Sequence, residues 1–126
     1  DHAYTPYSHF HVGAALLTKE GKVYQGCNIE NAAYSPSVCA ERTAFFKAVY
    51  EGERNFKAIA IMGGPETVKG PDCDICAPCG ICRQVMMEFC DPGTFEILLG
   101  TPEKYEIYTL KEILPLGFGS ANLKKK

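Results

Sequence analysis

Val38-Cys39-Ala40-Glu41-Arg42-Thr43-Ala44-Phe45-Phe46-Lys47-Ala48-Val49-Tyr50-Glu51 is the stretch on which the reading of this chain turns. Ala40, Ala44, Phe45, Ala48 and Val49 recur at helical spacing, which predicts a helix with one apolar face. Pro36 sits where such a helix begins shortly afterwards, and Gly52 just past its end supplies a C-terminal cap. Cys39, a potential soft-metal ligand, stands two residues ahead of the carboxylate of Glu41 at the helix start. Inside a helix, positions two apart point to nearly opposite faces. Thiol and carboxylate therefore share a site only if Cys39 lies at the pre-helical end, which the Pro36-Ser37 breaker allows.

Working outward, the flanks read as strands. Phe10-His11-Val12-Gly13-Ala14-Ala15-Leu16-Leu17 and Val23 to Asn28, joined by the tight turn Lys19-Glu20-Gly21-Lys22, predict an antiparallel hairpin. The nearly continuous apolar character of the first strand predicts burial on both faces. Residues 1 to 9, with Thr5-Pro6-Tyr7-Ser8, are turn-like, and Asn28 to Ser37 reads as a polar loop. Beyond the central helix, Phe56 to Met62 is a short core strand, and Gly63 to Ala77 is a Gly- and Pro-rich loop. That loop is long enough for a compact domain to be functional or mobile. A second helix spans about Cys79 to Phe89, with Ile81, Val85, Met86 and Phe89 facing the core, and Asp91-Pro92-Gly93 ends it. Phe95 to Leu99 and Tyr105 to Tyr108 are two more strands around a Thr101-Pro102-Glu103 turn. Thr109-Leu110-Lys111-Glu112 matches a capping box, so a short helix begins there and stops by Pro115. The order β-β-α-β-α-β-β predicts an α/β layer fold, a central sheet with helices packed on its faces.

A chain of 126 residues and 13.8 kDa is expected to form one domain, residues 1–126, with a core of its own. Hydrophobic residues at 46% and charged residues at 22% describe an ordinary soluble globular protein. Thirteen basic against 15 acidic residues give a net charge of −2, which argues against nucleic acid or an anionic membrane as the main partner. No apolar run approaches the roughly 18 residues of a membrane span, and no secretory signal opens the chain. Lys124-Lys125-Lys126 is expected to be a disordered, solvated tail. Seven cysteines is a high and odd count, and their spacing suits metal better than long-range bridges. The expected compartment is reducing and cytoplasmic.

Pro78-Cys79-Gly80-Ile81-Cys82-Arg83-Gln84 places two thiols one helical turn apart at a second helix start. There the unpaired amides and the macrodipole favour thiolate, the form that binds metal. Alone, the pair also reads as a redox couple or as half of a structural zinc site. Cys39 brings the thiols to three, the count of a catalytic zinc that keeps one position open. Cys73, Cys76, Cys79 and Cys82 form a competing series at three-residue spacing, a four-thiolate zinc or iron–sulfur site with no role for Cys39. Outside such a site, Cys73 and Cys76 are free, oxidation-prone loop thiols.

Cys39-Ala40-Glu41 followed by Pro78-Cys79-Gly80-Ile81-Cys82-Arg83-Gln84 resembles the signature of the zinc nucleobase deaminases, with Cys39 in place of a histidine. Tyr7-Ser8-His9-Phe10-His11-Val12-Gly13-Ala14-Ala15, Gly26-Cys27-Asn28-Ile29-Glu30-Asn31-Ala32-Ala33-Tyr34-Ser35 and Leu114-Pro115 to Phe118 are similar to the cytidine deaminases, so the resemblance spans nearly the whole chain. It implies a three-layer α/β/α fold, a mixed five-stranded sheet with helices on both faces. It also implies one zinc per chain on Cys39, Cys79 and Cys82, with Glu41 as proton shuttle. Asn28 and Glu30 would hold the ribose hydroxyls and Phe10 would pack on the pyrimidine. Phe118, and Tyr34 with it, would border a neighbouring subunit's site in a homotetramer with shared active sites. Arg42, assisted by Gln84, would hydrogen-bond the thiolates and withdraw their charge.

The implied activity is hydrolytic deamination of cytidine and 2′-deoxycytidine to uridine and 2′-deoxyuridine, with release of ammonia, in pyrimidine salvage. Zinc lowers the pKa of its water from 15.7 toward about 7, so hydroxide is available at neutral pH. Plainer readings stand beside these: Phe10 and Phe118 as core aromatics, Asn28 as a turn residue, Glu41 as a carboxylate on the helix dipole. The helix that the resemblance implies before Tyr4 is not in the sequence, and Gly63 to Ala77 is several residues longer than the family's pattern. A related deaminase acting on blasticidin S is one rival, although Asn28-Ile29-Glu30 suits the vicinal hydroxyls of a free ribose. A deaminase acting on nucleic acid is disfavoured by the acidic balance and by the lack of a basic, aromatic-rich groove element in the sequence. A non-catalytic zinc or thiol-redox module leaves Glu41 and the Asn28–Glu30 pair without a purpose.

Overall fold

Strand β1, Phe10–Thr18, turns back into β2, Val23–Cys27, with Leu17 opposite Val23 and Gly13 opposite Cys27. A computed structural model describes residues 2–65, 78–100 and 104–124 of the chain. After the hairpin come α1 (Ala40–Tyr50), β3 (Phe56–Pro65), α2 (Gly80–Phe89), β4 (Glu96–Gly100), β5 (Tyr105–Thr109), α3 (Leu110–Ile113) and α4 (Ser120–Lys124). The strands form one mixed sheet in the order β2-β1-β3-β4-β5. β3 and β4 are its parallel pair, and α2 supplies the crossover that a parallel connection requires. The expected α/β class and five-stranded mixed sheet are both present. The loop with Cys73 and Cys76, the Thr101-Pro102-Glu103 turn and the tail beyond Lys124 lie outside the described residues.

Leu16, Ile59 and Ile97 stand side by side across β1, β3 and β4 and are fully buried. One residue along, Ala15, Ala60 and Leu98 face the other way, with Ala60 exposed. β1 therefore alternates, with Ala14, Leu16 and Thr18 buried and Ala15 and Leu17 only half-buried, rather than being buried on both faces. An unbroken apolar run carries no period, so it cannot say which side the helices cover. Helices α1 and α2 join the Leu16 side of the sheet in one core.

The central helix forms for the reason its period gives. Ala40, Ala44, Ala48 and Phe45 are fully buried, and Tyr50 is on the solvent side. Phe45 is ringed by Phe56, Phe89 and Phe95 at centroid separations of 5.2, 6.3 and 6.0 Å, inside the range in which aromatic pairs attract. Gly52, with φ at +97°, ends the helix in the left-handed conformation that glycine adopts without strain. At the other end of the chain the expected capping box is complete: Glu112 N donates to Thr109 Oγ1 at 3.3 Å, and Thr109 N donates to Glu112 Oε1 at 2.7 Å. None of the helices of the described residues is long and apolar enough to cross a membrane.

Candidate active site

Two helices present their N-termini to the same point. Cys39 is the N-cap of α1 and Cys79 the N-cap of α2, both with extended backbone (ψ 156° and 170°) and neither with a side-chain capping bond. An N-cap serine or aspartate would turn its oxygen onto the helix amides; a thiol accepts weakly and stays available. Cys82 follows within the first turn of α2 and is buried, Cys39 is half-buried and Cys79 exposed. The pre-helical placement that Cys39 needs is therefore met.

The loop between β2 and α1 is fastened so that Cys39 reaches this point. Ile29 and Val38 exchange backbone hydrogen bonds at 2.9 and 2.8 Å, and Tyr4 is bonded on the far side of Ile29, through Asn28 O at 3.0 Å and Glu30 N at 2.9 Å. The three sulfur atoms lie within 4.8 Å of one another. Cys39 Sγ is 3.7 Å from Cys79 Sγ, which is 3.3 Å from Cys82 Sγ. Four-coordinate zinc with Zn–S bonds of about 2.3 Å spaces its thiolates about 3.8 Å apart, so the donor set fits that ion with small adjustment.

Electrostatics favour an anion at the triad. Hydrogen bonding to Cys82, then to Arg42 and Cys79, holds the Cys39 thiol down at about 5 despite its partial burial. The same bond to Cys39 is the largest cause pushing the Cys82 thiol up, with burial next. Metal binding displaces the protons that such thiols carry. Arg42 reaches Cys39 Sγ with Nη2 at 3.4 Å. Gln84 does something else. Two positions past Cys82 on the helix its side chain leaves from nearly the opposite face, and its Nε2 donates to the Phe118 carbonyl at 2.7 Å instead of to a thiolate.

Glu41 is 4% exposed, and burial raises its carboxyl to about 7, with the neighbouring Cys39 charge adding to the rise and Arg42 opposing it. A carboxyl poised there can both take and give a proton near neutral pH.

The remaining expected residues lie at the start of β1, on the loop between β2 and α1, and between α3 and α4. Phe10 is half-buried at the start of β1, and the Asn28 amide brackets it: Nδ2 donates to Phe10 O at 2.9 Å and Oδ1 accepts from Val12 N at 3.0 Å. Asn28 thus extends the hairpin's pairing one step past Cys27. Glu30 accepts from Tyr7 N and Ser8 N, both at 3.1 Å, and from the Ser8 hydroxyl. Tyr34, at φ +66° and 72% exposed, stands edge-on to Tyr7 with centroids 6.4 Å apart. Phe118 is 58% exposed. Two contributors escape the sequence reading. Ser8, which holds Glu30, carries no local signal. Arg83, which binds Pro78 O and Ile113 O, carried the same signal as Arg42: a cation in the first turn of a helix, where the dipole disfavours it.

Comparison with known proteins agrees with this geometry. The family model described as the cytidine and deoxycytidylate deaminase zinc-binding region matches residues 1–95. A cytidine deaminase from Sporosarcina psychrophila is 49% identical over 123 residues, covering 98% of this chain and 85% of its own length. One from Halalkalibacterium halodurans is 47% identical over 122 residues, covering 96% of this chain and 86% of its own. The crystal structure of cytidine deaminase from Burkholderia pseudomallei superposes with a TM-score of 0.79 at 47% identity, over 93% of this chain and 88% of that one. With Cys39, Cys79 and Cys82 positioned to hold a metal ion, the chain belongs to the family of cytidine and deoxycytidylate deaminases with a zinc-binding region.

Proposed function

We propose that the protein is a zinc-dependent aminohydrolase that converts cytidine and 2′-deoxycytidine, with water, to uridine and 2′-deoxyuridine and ammonia, in pyrimidine salvage. The observation that carries this reading is the convergence of Cys39, Cys79 and Cys82 from two helix starts, with the buried carboxyl of Glu41 two residues from Cys39. Zinc, when bound, acts as a Lewis acid that makes water nucleophilic near neutral pH. Glu41 takes a proton from the attacking water and passes it to the ring nitrogen beside the amino-bearing carbon. Once the water oxygen has bonded to that carbon, Glu41 takes its remaining proton and delivers it to the amino group, which leaves as ammonia as the carbon–oxygen bond becomes the product's carbonyl. Three thiolates on a divalent ion leave one net negative charge, and Arg42 offsets it through its bond to Cys39.

Phe10 packs against the pyrimidine, and Asn28 and Glu30 receive the ribose. Asn28 still has a free amide hydrogen and lone pair after its two bonds to β1, and Glu30 is held in place by Ser8. Tyr34 and Phe118, both exposed aromatic side chains, border a neighbouring subunit's site in a homotetramer. Residues 1–126 act as one domain, and a cytoplasmic location suits a site that needs three reduced thiols. Loss of cytidine absorbance with time, abolished by a zinc chelator and restored by zinc, tests the activity; no loss with zinc-loaded protein overturns it. Running blasticidin S in parallel tests the ribose reading, which expects cytidine to be the preferred substrate.

A further inference from the structure

Arg83 follows Cys82 on α2, and its guanidinium leaves the helix to bind two carbonyl oxygens from separate segments. Nε donates to Pro78 O at 2.8 Å and Nη1 donates to Ile113 O at 2.5 Å. Pro78 is fully buried immediately ahead of Cys79. Its carbonyl lies outside the helical ladder, which begins with Arg83 N donating to Cys79 O at 2.9 Å. A buried carbonyl without a donor is costly, and Arg83 supplies the donor. Ile113 ends α3, where carbonyls also lack helical partners. One planar fork thus answers both demands, a task that a lysine's single ammonium does not match in geometry. The neighbouring Gln84 fastens Phe118 O to the same helix.

The Pro78 carbonyl and the Cys79 nitrogen belong to one rigid peptide plane. A bond to that oxygen therefore sets the orientation from which Cys79 presents its sulfur. Cys79 is the exposed member of the triad and sits outside the helix proper, so it is the ligand that most needs such support. We propose that Arg83 is a positioning residue for the metal centre, holding the peptide ahead of Cys79 and tying the geometry of the triad to the end of α3. The proposal rests on the reading of the triad as a zinc site and is independent of the substrate.

The test compares wild type, Arg83→Ala and Arg83→Lys, each loaded with zinc. Metal content is measured first, then the rate of zinc transfer to excess chromophoric chelator, and then the thermal midpoint with and without zinc. The expected result is release at least about 10-fold faster in Arg83→Ala, the lower end for residues that support metal ligands, with Arg83→Lys between it and wild type. The gap between zinc-loaded and zinc-free midpoints shrinks with it, since that gap follows metal affinity. A purely structural role lowers both midpoints together and leaves release unchanged, which overturns the proposal. If Arg83→Ala does not fold, Arg83→Lys decides by the same readouts: release at the wild-type rate overturns the proposal and faster release supports it. Wild type that holds no zinc overturns the metal reading itself.

Discussion

Arg42 aims its Nη2 at the sulfur of Cys39 from 3.4 Å, one turn back along the same helix, and the same nitrogen donates to Ser37 O at 3.3 Å. Its Nε is buried with no hydrogen-bond partner among the described residues. A cation in the first turn opposes the helix dipole, and the bond to the Cys39 sulfur compensates for that placement. Arg42→Ala is expected to lower zinc affinity or turnover by about 10- to 100-fold. Arg42→Lys should recover part of the charge effect without the fork. Chelator competition and steady-state rates measure both, and wild-type values in Arg42→Ala would remove Arg42 from the site.

Glu41→Gln separates proton transfer from metal binding. Glutamine fills the same buried space and cannot accept and return a proton. Turnover should fall at least about 100-fold, the low end for general acid–base groups, with one zinc per chain retained by metal analysis. The substitution also removes a carboxylate whose ionisation burial opposes. The thermal midpoint should therefore not drop. A variant that keeps the wild-type rate would exclude Glu41 as the shuttle.

Glu30 sets an acid limit on the order of the Tyr7–Ser8 segment. The Ser8 hydroxyl first, and then the Ser8 and Tyr7 amides, hold its carboxyl below the usual carboxylate range. A depressed pKa contributes stability that is fully present above the unfolded value, about 4.3, and is lost as pH falls through the folded one. As pH falls below about 4.3 the wild type should thus lose stability that Glu30→Gln never had. Thermal midpoints across that range, with amide exchange at Tyr7 and Ser8, check it. Parallel acid limbs in the two proteins would show that the contact carries no linkage.

What the sequence made legible is what depends on neighbours a few residues away. The four-residue recurrence of Ala40, Ala44 and Ala48, the turn at Gly21 and the Thr109–Glu112 box each fix an element locally, and each is found where expected. The thiol triad was legible because metal chemistry restricts residue types and spacings so tightly. Other features depend on which segments meet in space. The run Ala14-Ala15-Leu16-Leu17 does not disclose that its Leu16 side takes the helices. Gln84 finds Phe118 thirty-four residues away, and Asn28 finds the backbone of β1, through contacts that no local pattern encodes. Helix α4, Ser120–Lys124, is too short to show a period.

Gly26 links the hairpin to the metal centre and supplies a last prediction. It lies opposite Ala14, under α1, where a Cβ would stand 2.4 Å from Ala40 O and 2.6 Å from Ala44 N. Both are backbone atoms of the helix that carries Cys39 at its cap, so no side-chain rotation relieves the clash. Gly26→Ala must lift α1 from β2. Overpacking of this kind costs about 1–3 kcal/mol, and the displaced helix start should also release zinc faster. Gly93→Ala is the control, since a Cβ there meets nothing nearer than Asp91 Oδ1 at 3.5 Å. Thermal melts and zinc transfer to chelator should distinguish the two: a lower midpoint and faster release for Gly26→Ala, neither for Gly93→Ala. Equal behaviour would mean that α1 can shift on the sheet without disturbing Cys39.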